Sequence, residues 1–268
     1  MAYTQFLEQT LTQAASIAAN NFGKVTGTVK AGDNNQVLTE TDVAIGKHIV
    51  DAIKKEFPDH NVIDEEAGVI DNQSRYTWVV DPIDGTSNFA AGLPHYGIMI
   101  GLLEDATPIA GGIALPAFNE IYLAENGKGT TCNGQAISVS SEQDLLKSLV
   151  TYGIDGHQED PALTQQECAV LTNIILGIRN LRTSNSAFDM ANVASGRYGA
   201  FLNKTTKIWD NVAPQIIVEE AGGVWTDFDG QAFDYTKPLS RVDQNFTVCA
   251  GAPALHRQLQ DIIHAAQS

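Results

Sequence analysis

Cysteine is scarce: Cys132, Cys168 and Cys249 are three, an odd number with no CxxC spacing. That argues against a disulfide framework and for reduced, cytoplasmic thiols. The six histidines show no HExxH or other paired-ligand spacing, which argues against a zinc site. No apolar run approaches the roughly eighteen residues of a membrane span. The opening stretch MAYTQFLEQTLTQAASIAANNF lacks the basic region of a signal peptide and reads as an amphipathic helix. Positive charge is scarce too, with 16 basic residues against 32 acidic ones and a net charge of −16. Such a balance argues against nucleic-acid and anionic-membrane partners. An anionic substrate would need the field reversed locally, which bound divalent cations can do.

What is present is a long alternation of elements. Phe6, Leu7, Leu11, Ala14, Ala15 and Ile17 recur at helical spacing over 5–22. A second helix is predicted over 41–57, with Thr41 or Asp42 as cap and a Phe-Pro stop. Strands are predicted at 61–68, 76–81, 96–103, 109–115 and 120–124, and the glycine-rich 125–134 reads as a hairpin turn, not a nucleotide loop. The second half carries helical stretches near 160–177, 186–196 and from 211 to Gly222, then a strand and turn at VWTDFDG. A strand near 246–250 and a helix from 253 close the chain. The pattern predicts an α/β or α+β layered fold with halves of roughly 1–142 and 143–268.

The chemistry concentrates in WVVDPIDGTSNF, residues 78–89. Asp81 ends an apolar run, Pro82 redirects the chain, and Asp84-Gly85-Thr86 is turn chemistry. Taken alone, DPIDG is an ordinary turn. Two neighbouring carboxylates, however, repel unless one is protonated or a cation lies between them. Oxygen ligands with no histidine or cysteine nearby favour Mg²⁺ or Ca²⁺. Glu65 and Glu66 end another apolar strand, and Asp210 follows Ile208-Trp209 where a helix begins. Asp210 is explained equally well as a helix cap.

WVVDPIDGTSNF together with IWDNVAPQIIVEEAGG resembles the two signature motifs of the inositol monophosphatase family. LTETDVAIGKHIVDAIKKEFPDHNVIDEEAG, AENGKGTTCNGQAISVS and SAFDMANVASGRYGAF extend the likeness over nearly the whole chain. The resemblance implies one αβαβα five-layer sandwich and a magnesium-dependent, lithium-sensitive phosphomonoesterase with two or three Mg²⁺ ions. It also implies a small phosphate-ester substrate and a homodimer. Carried onto this chain, Glu65, Asp81, Asp84 and Asp210 become metal ligands, with Asp81 bridging, and Ile83 supplies a carbonyl ligand. Gly85 and Thr86 amides would hold the phosphate. Thr86 and Asp42 would orient and deprotonate the attacking water, with Glu66 close to the metals and Lys30 close to a family lysine. In this two-metal chemistry one cation activates water and another stabilises the departing ester oxygen.

The substrate-reading half departs from the family pattern. Ser184, Asn185 and Ser186 stand where Gly-Ser/Thr-Ala is common, and Asn203 stands where animal enzymes carry a glutamate. Ser186, Asn203, Asp84 and Asp210 are the expected substrate contacts. Lys204 and Lys207 are candidates for a second phosphate, or else a solvated basic loop. Inositol-1-phosphate is therefore weighed against fructose-1,6-bisphosphate, histidinol phosphate and 3′-phosphonucleotides, and against a regulatory binding protein that retains the fold.

Overall fold

The computed structural model describes residues 2–30 and 37–267. In chain order the first half runs α1 (Tyr3–Asn21), β1 (Thr28–Val29), β2 (Val37–Leu38), α2 (Glu40–Glu56), β3 (Asn61–Asp64), β4 (Gly68–Ile70), β5 (Tyr76–Asp84), α3 (Thr86–Ala90), β6 (Gly97–Glu104), β7 (Thr107–Leu115), β8 (Glu120–Glu125), β9 (Thr130–Cys132) and β10 (Gln135–Ala136). The second half adds β11 (Leu149–Gly153), α4 (Pro161–Gly177), β12 (Asn180–Arg182), α5 (Ala187–Ala194), β13 (Ala200–Thr206), α6 (Val212–Glu220), β14 (Val224–Thr226), β15 (Phe246–Gly251) and α7 (Pro253–Gln267).

An eight-stranded sheet runs β10-β9-β8-β7-β6-β5-β3-β4, and a five-stranded sheet runs β12-β11-β13-β15-β14. Helices α1 and α2 pack on one face of the large sheet, α5 and α6 lie between the sheets, and α7 with α4 covers the far face of the small one. This is the expected five-layer αβαβα sandwich. Its first interface buries Leu7, Leu11, Ile45, Ile49 and Trp78. Phe6, Phe57 and Trp78 meet there with ring centroids 5.0–5.2 Å apart. Each such pair contributes about 0.5–1.5 kcal/mol beyond simple area burial.

Two glycines decide how the central layer sits. Gly101 of β6 lies opposite Gly111 of β7. A Cβ at Gly101 would stand 2.8 Å from the backbone nitrogen of Ala213, and one at Gly111 would stand 2.9 Å from the Ala213 carbonyl oxygen. The start of α6 therefore rests directly on the sheet, which brings the preceding Asp210 down beside β5.

Several sequence expectations need correction. The cap of α2 is Thr39, whose hydroxyl accepts the N–H groups of Thr41 and Asp42. Asp42, at the third helical position, reciprocates by accepting the Thr39 N–H at 2.9 Å. Such a capping box is worth about 1 kcal/mol. Strand β5 does not stop at Pro82 but runs through it to Asp84. The 125–134 stretch holds strand β9, and the tight turn lies at Asn133-Gly134, both with positive φ. Strands β1, β2, β4, β10, β11, β12 and β13 and the short α3 lie outside the elements expected from the sequence.

Candidate active site

The DPIDG segment works through a β-bulge. Asp81 pairs with Met99 and Asp84 with Gly97, so three steps along β5 match two along β6. In a regular strand, side chains three apart point to opposite faces. The one extra residue resets the alternation and turns both carboxylates to the same side. From α6's start, Asp210 joins them, and one oxygen from each of Asp81, Asp84 and Asp210 lies within 4.8 Å of the others. Asp210 is not a helix cap: the N-cap of α6 is Asn211, and Asp210 Oδ2 accepts the Lys207 N–H at 2.6 Å.

These carboxylates are costly as they stand. Burial, reinforced by repulsion from Glu65 and Asp210, holds Asp81 and Asp84 well above the usual carboxylate range, and Asp84 adds to the effect at Asp81. Burial pushes Asp210 up to about 6 and Glu65 to about 7. Asp81 Oδ1 and Asp84 Oδ2 are buried without a hydrogen-bond partner among the described residues. Orphaned, like-charged oxygens converging on one point fit a hard divalent cation of the Mg²⁺ type.

Glu65 approaches from the turn after β3 and lines the same pocket. Lys30 Nζ bridges it at 3.0 Å and Glu66 at 2.7 Å. Glu65 is thus set apart from the triad of aspartates, and Glu66 is held by the same lysine. The turn itself is fixed by buried Asp64, whose Oδ1 accepts the N–H groups of Glu66 at 2.9 Å and Ala67 at 2.7 Å. In the sequence Asp64 is indistinguishable from the acidic run Asp64-Glu65-Glu66 in which it stands.

After Asp84 the chain enters α3 through Gly85 at φ +83°. A Cβ there would stand 2.7 Å from Ser186 Cβ and 2.9 Å from the His95 carbonyl oxygen, so only glycine fits. The first amides of a helix lack intrahelical acceptors, so the N–H groups of Gly85 and Thr86 are donors for an anion. Thr86 Oγ1 lies 2.7 Å from the Ile83 carbonyl oxygen and 3.1 Å from Asp42 Oδ1, and its single proton can serve either. Asp42 also takes the Thr39 hydroxyl. Burial raises the Asp42 carboxyl above its ordinary range.

These groups open into a cavity of about 850 Å³. Its far wall comes from the second half: Asp155, Ser184, Asn185, Ser186, Asn203 and Thr205. Ser186 and Asn203 line the cavity, as does Asp155, which carries no signal in the sequence because its neighbours Ile154 and Gly156 look like any loop. Lys204 does not reach the cavity; its Nζ lies over the Phe228 ring, 5.8 Å from the centroid. Lys207 lines the cavity with its Nζ donating to the Asp243 carbonyl oxygen at 2.9 Å.

The inositol monophosphatase family profile matches residues 2–267. The chain belongs to this family. It is 33% identical over 226 residues to a Xylella fastidiosa protein named Nus factor SuhB, covering 84% of this chain and 80% of that one. It is 31% identical over 216 residues to an Aquifex aeolicus fructose-1,6-bisphosphatase/inositol-1-monophosphatase, covering 78% of this chain and 80% of the other. The solved structure of a Thermotoga maritima IMPase superposes with a TM-score of 0.87 at 28% identity, covering 100% of this chain and 98% of that one. This is a phosphatase family acting on small phosphate esters, and its members are generally metal-dependent. Among the described residues, no helix is long and apolar enough to cross a membrane.

Proposed function

We propose that this protein is a Mg²⁺-dependent phosphomonoesterase that hydrolyses inositol-1-phosphate or a closely related polyol phosphate. The observation that carries the reading is the convergence of Asp81, Asp84 and Asp210 within 4.8 Å, beside the Gly85-Thr86 turn. The three aspartates and Glu65 would hold the cations, with the Ile83 carbonyl available when Thr86 turns its proton to Asp42. Bound divalent cations supply the positive field that this acidic chain lacks, acidify water and offset charge on the departing oxygen.

The rest is the work of the chain itself. Amides at Gly85 and Thr86 orient the phosphate for in-line attack. Thr86 Oγ1, donating to Asp42, leaves a lone pair to accept a proton from water. Asp42, held by Thr39 and made more basic by burial, receives the proton passed through the hydroxyl. The phosphorus–oxygen bond to the alcohol breaks as the bond to water's oxygen forms; the departing alkoxide takes a proton from a solvent water, and Asp42 returns its proton to solvent, so the proton count closes. Glu66 acts by holding Lys30 beside Glu65. Homodimerisation belongs to the same proposal and is read by light scattering.

The test is phosphate release with Mg²⁺ from inositol-1-phosphate, fructose-1,6-bisphosphate, histidinol phosphate and a 3′-phosphonucleotide. Preferred turnover of the inositol ester supports the reading; preferred turnover of a bisphosphate sinks the substrate assignment. The name of the Xylella relative motivates a regulatory alternative. That alternative is favoured if the panel is silent while Mg²⁺ binding is measurable.

A further inference from the structure

The wall that faces the alcohol half of a substrate is assembled from three segments. Strands β11 and β13 pair in parallel with Gly153 opposite Asn203, so the chain leaving β11 crosses Asn203 and carries Asp155 into the cavity. Asn185, at φ +53°, donates from Nδ2 to Asp155 Oδ1 at 3.0 Å. Thr205 Oγ1 lies 3.5 Å from Asp155 Oδ2. The acceptor oxygen of Asn203 is occupied within the wall: its Oδ1 accepts the Thr205 N–H at 2.8 Å and lies 3.3 Å from Thr205 Oγ1, while one Nδ2 proton goes to Asn185 Oδ1 at 3.4 Å. A carboxylate has roughly four acceptor positions, so Asp155 keeps acceptor capacity that Asn203 does not.

We infer that Asp155 is a specificity-determining residue for the alcohol half of the substrate. Its carboxylate accepts hydrogen bonds from adjacent hydroxyls, selecting phosphomonoesters of neutral vicinal polyols. The same negative charge disfavours a second phosphate. The inference rests on the phosphatase reading above and names the residue that sets its substrate class.

Charge around this wall agrees. Asp155, Glu159 and Asp160 line it, and the basic residues lining it are His157 and Lys207 among the described residues. Lys207 already donates to the Asp243 carbonyl oxygen, and Lys204 lies over Phe228. A second phosphate at Asp155 would meet a like charge with no cation built to receive it. A substrate lacking hydroxyls would leave the carboxylate's acceptor positions unfilled when it binds.

The test compares wild type with Asp155→Asn, and with Asp155→Ser as a second charge-removing variant. Each is assayed with Mg²⁺ on inositol-1-phosphate, fructose-1,6-bisphosphate and p-nitrophenyl phosphate. The expected result is a loss of about 10- to 100-fold in kcat/KM for inositol-1-phosphate, carried mostly by KM. Turnover of p-nitrophenyl phosphate stays within about twofold, which also reports an intact fold, and the bisphosphate improves relative to the polyol ester. Proportional loss on all three substrates, or an unchanged ratio of polyol ester to bisphosphate, overturns the inference. A wild type inert on every ester overturns the phosphatase reading and this inference with it. Wild-type turnover with unchanged ratios in the variants overturns the inference alone.

Discussion

The two walls of the cavity are built by different means. The Asp81–Thr86 wall is set by backbone: a β-bulge aligns two carboxylates, a left-handed glycine turns the chain, and a helix start presents amides. The Asp155–Asn185–Asn203 wall is set by side-chain hydrogen bonds linking segments 18 and 30 residues apart. Backbone devices hold charged groups against their mutual repulsion, as the first wall requires. Side-chain networks can be rewired by one substitution while the fold survives, which suits the wall proposed to read the alcohol half of the substrate.

The contrast can be broken most severely at Asp84. Asp84→Asn keeps the shape and removes a charge from the proposed cation site, and phosphate release should fall by at least the roughly 10²–10³-fold supplied by a single electrostatic contact to a transition state. The loss should be equal on every ester. Thr86→Val and Asp42→Asn should each cost about 10²–10⁴ in kcat with little change in KM, again without regard to the alcohol. A loss confined to one substrate would contradict the division between the walls.

The backbone devices can be probed through stability. Gly85→Ala forces a side chain into a positive φ against Ser186 Cβ and the His95 carbonyl, and should cost about 1–3 kcal/mol in a denaturant melt. Unchanged stability would mean that the turn can adopt another conformation.

The smallest effect separates the walls by pH. Metal-free protein carries Glu65 raised to about 7 and Asp210 to about 6, so the folded chain binds more protons than the unfolded chain between the ordinary carboxylate range and those values. Its Tm should therefore rise as pH falls from about 8 to 5. Saturating Mg²⁺ should raise Tm and reverse that slope, because protons then compete with the cation. The slope should persist in Asp155→Asn and weaken in Asp210→Asn. A slope unchanged in Asp210→Asn would place its origin elsewhere.

The backbone-built wall was largely legible in the sequence for a physical reason. Aspartates on either side of a proline, followed by Gly-Thr, are local signals, and the five-layer fold was implied by the family resemblance that this motif carries together with IWDNVAPQIIVEEAGG. Even there, the bulge was not legible, because register depends on Met99 and Gly97 of the partner strand. Asp210's placement depends on Gly101 and Gly111, two glycines inside strands that could have been read as a close backbone approach. The other wall was legible only as departures at Ser184, Asn185, Ser186 and Asn203. Asp155 carried no local signal, since its meaning comes from Asn185 and Thr205 across the fold. Lys204, which the sequence leaves open between a second-phosphate contact and a solvated loop, lies in β13, where alternation sends its ammonium to Phe228 and away from the cavity.

The most direct measurement is phosphate release from inositol-1-phosphate across a range of Mg²⁺ concentration, in wild type and Asp84→Asn. The account predicts saturable dependence on Mg²⁺ in wild type and loss of turnover at all concentrations in the variant. Release that needs no divalent cation, or that survives Asp84→Asn, would contradict it.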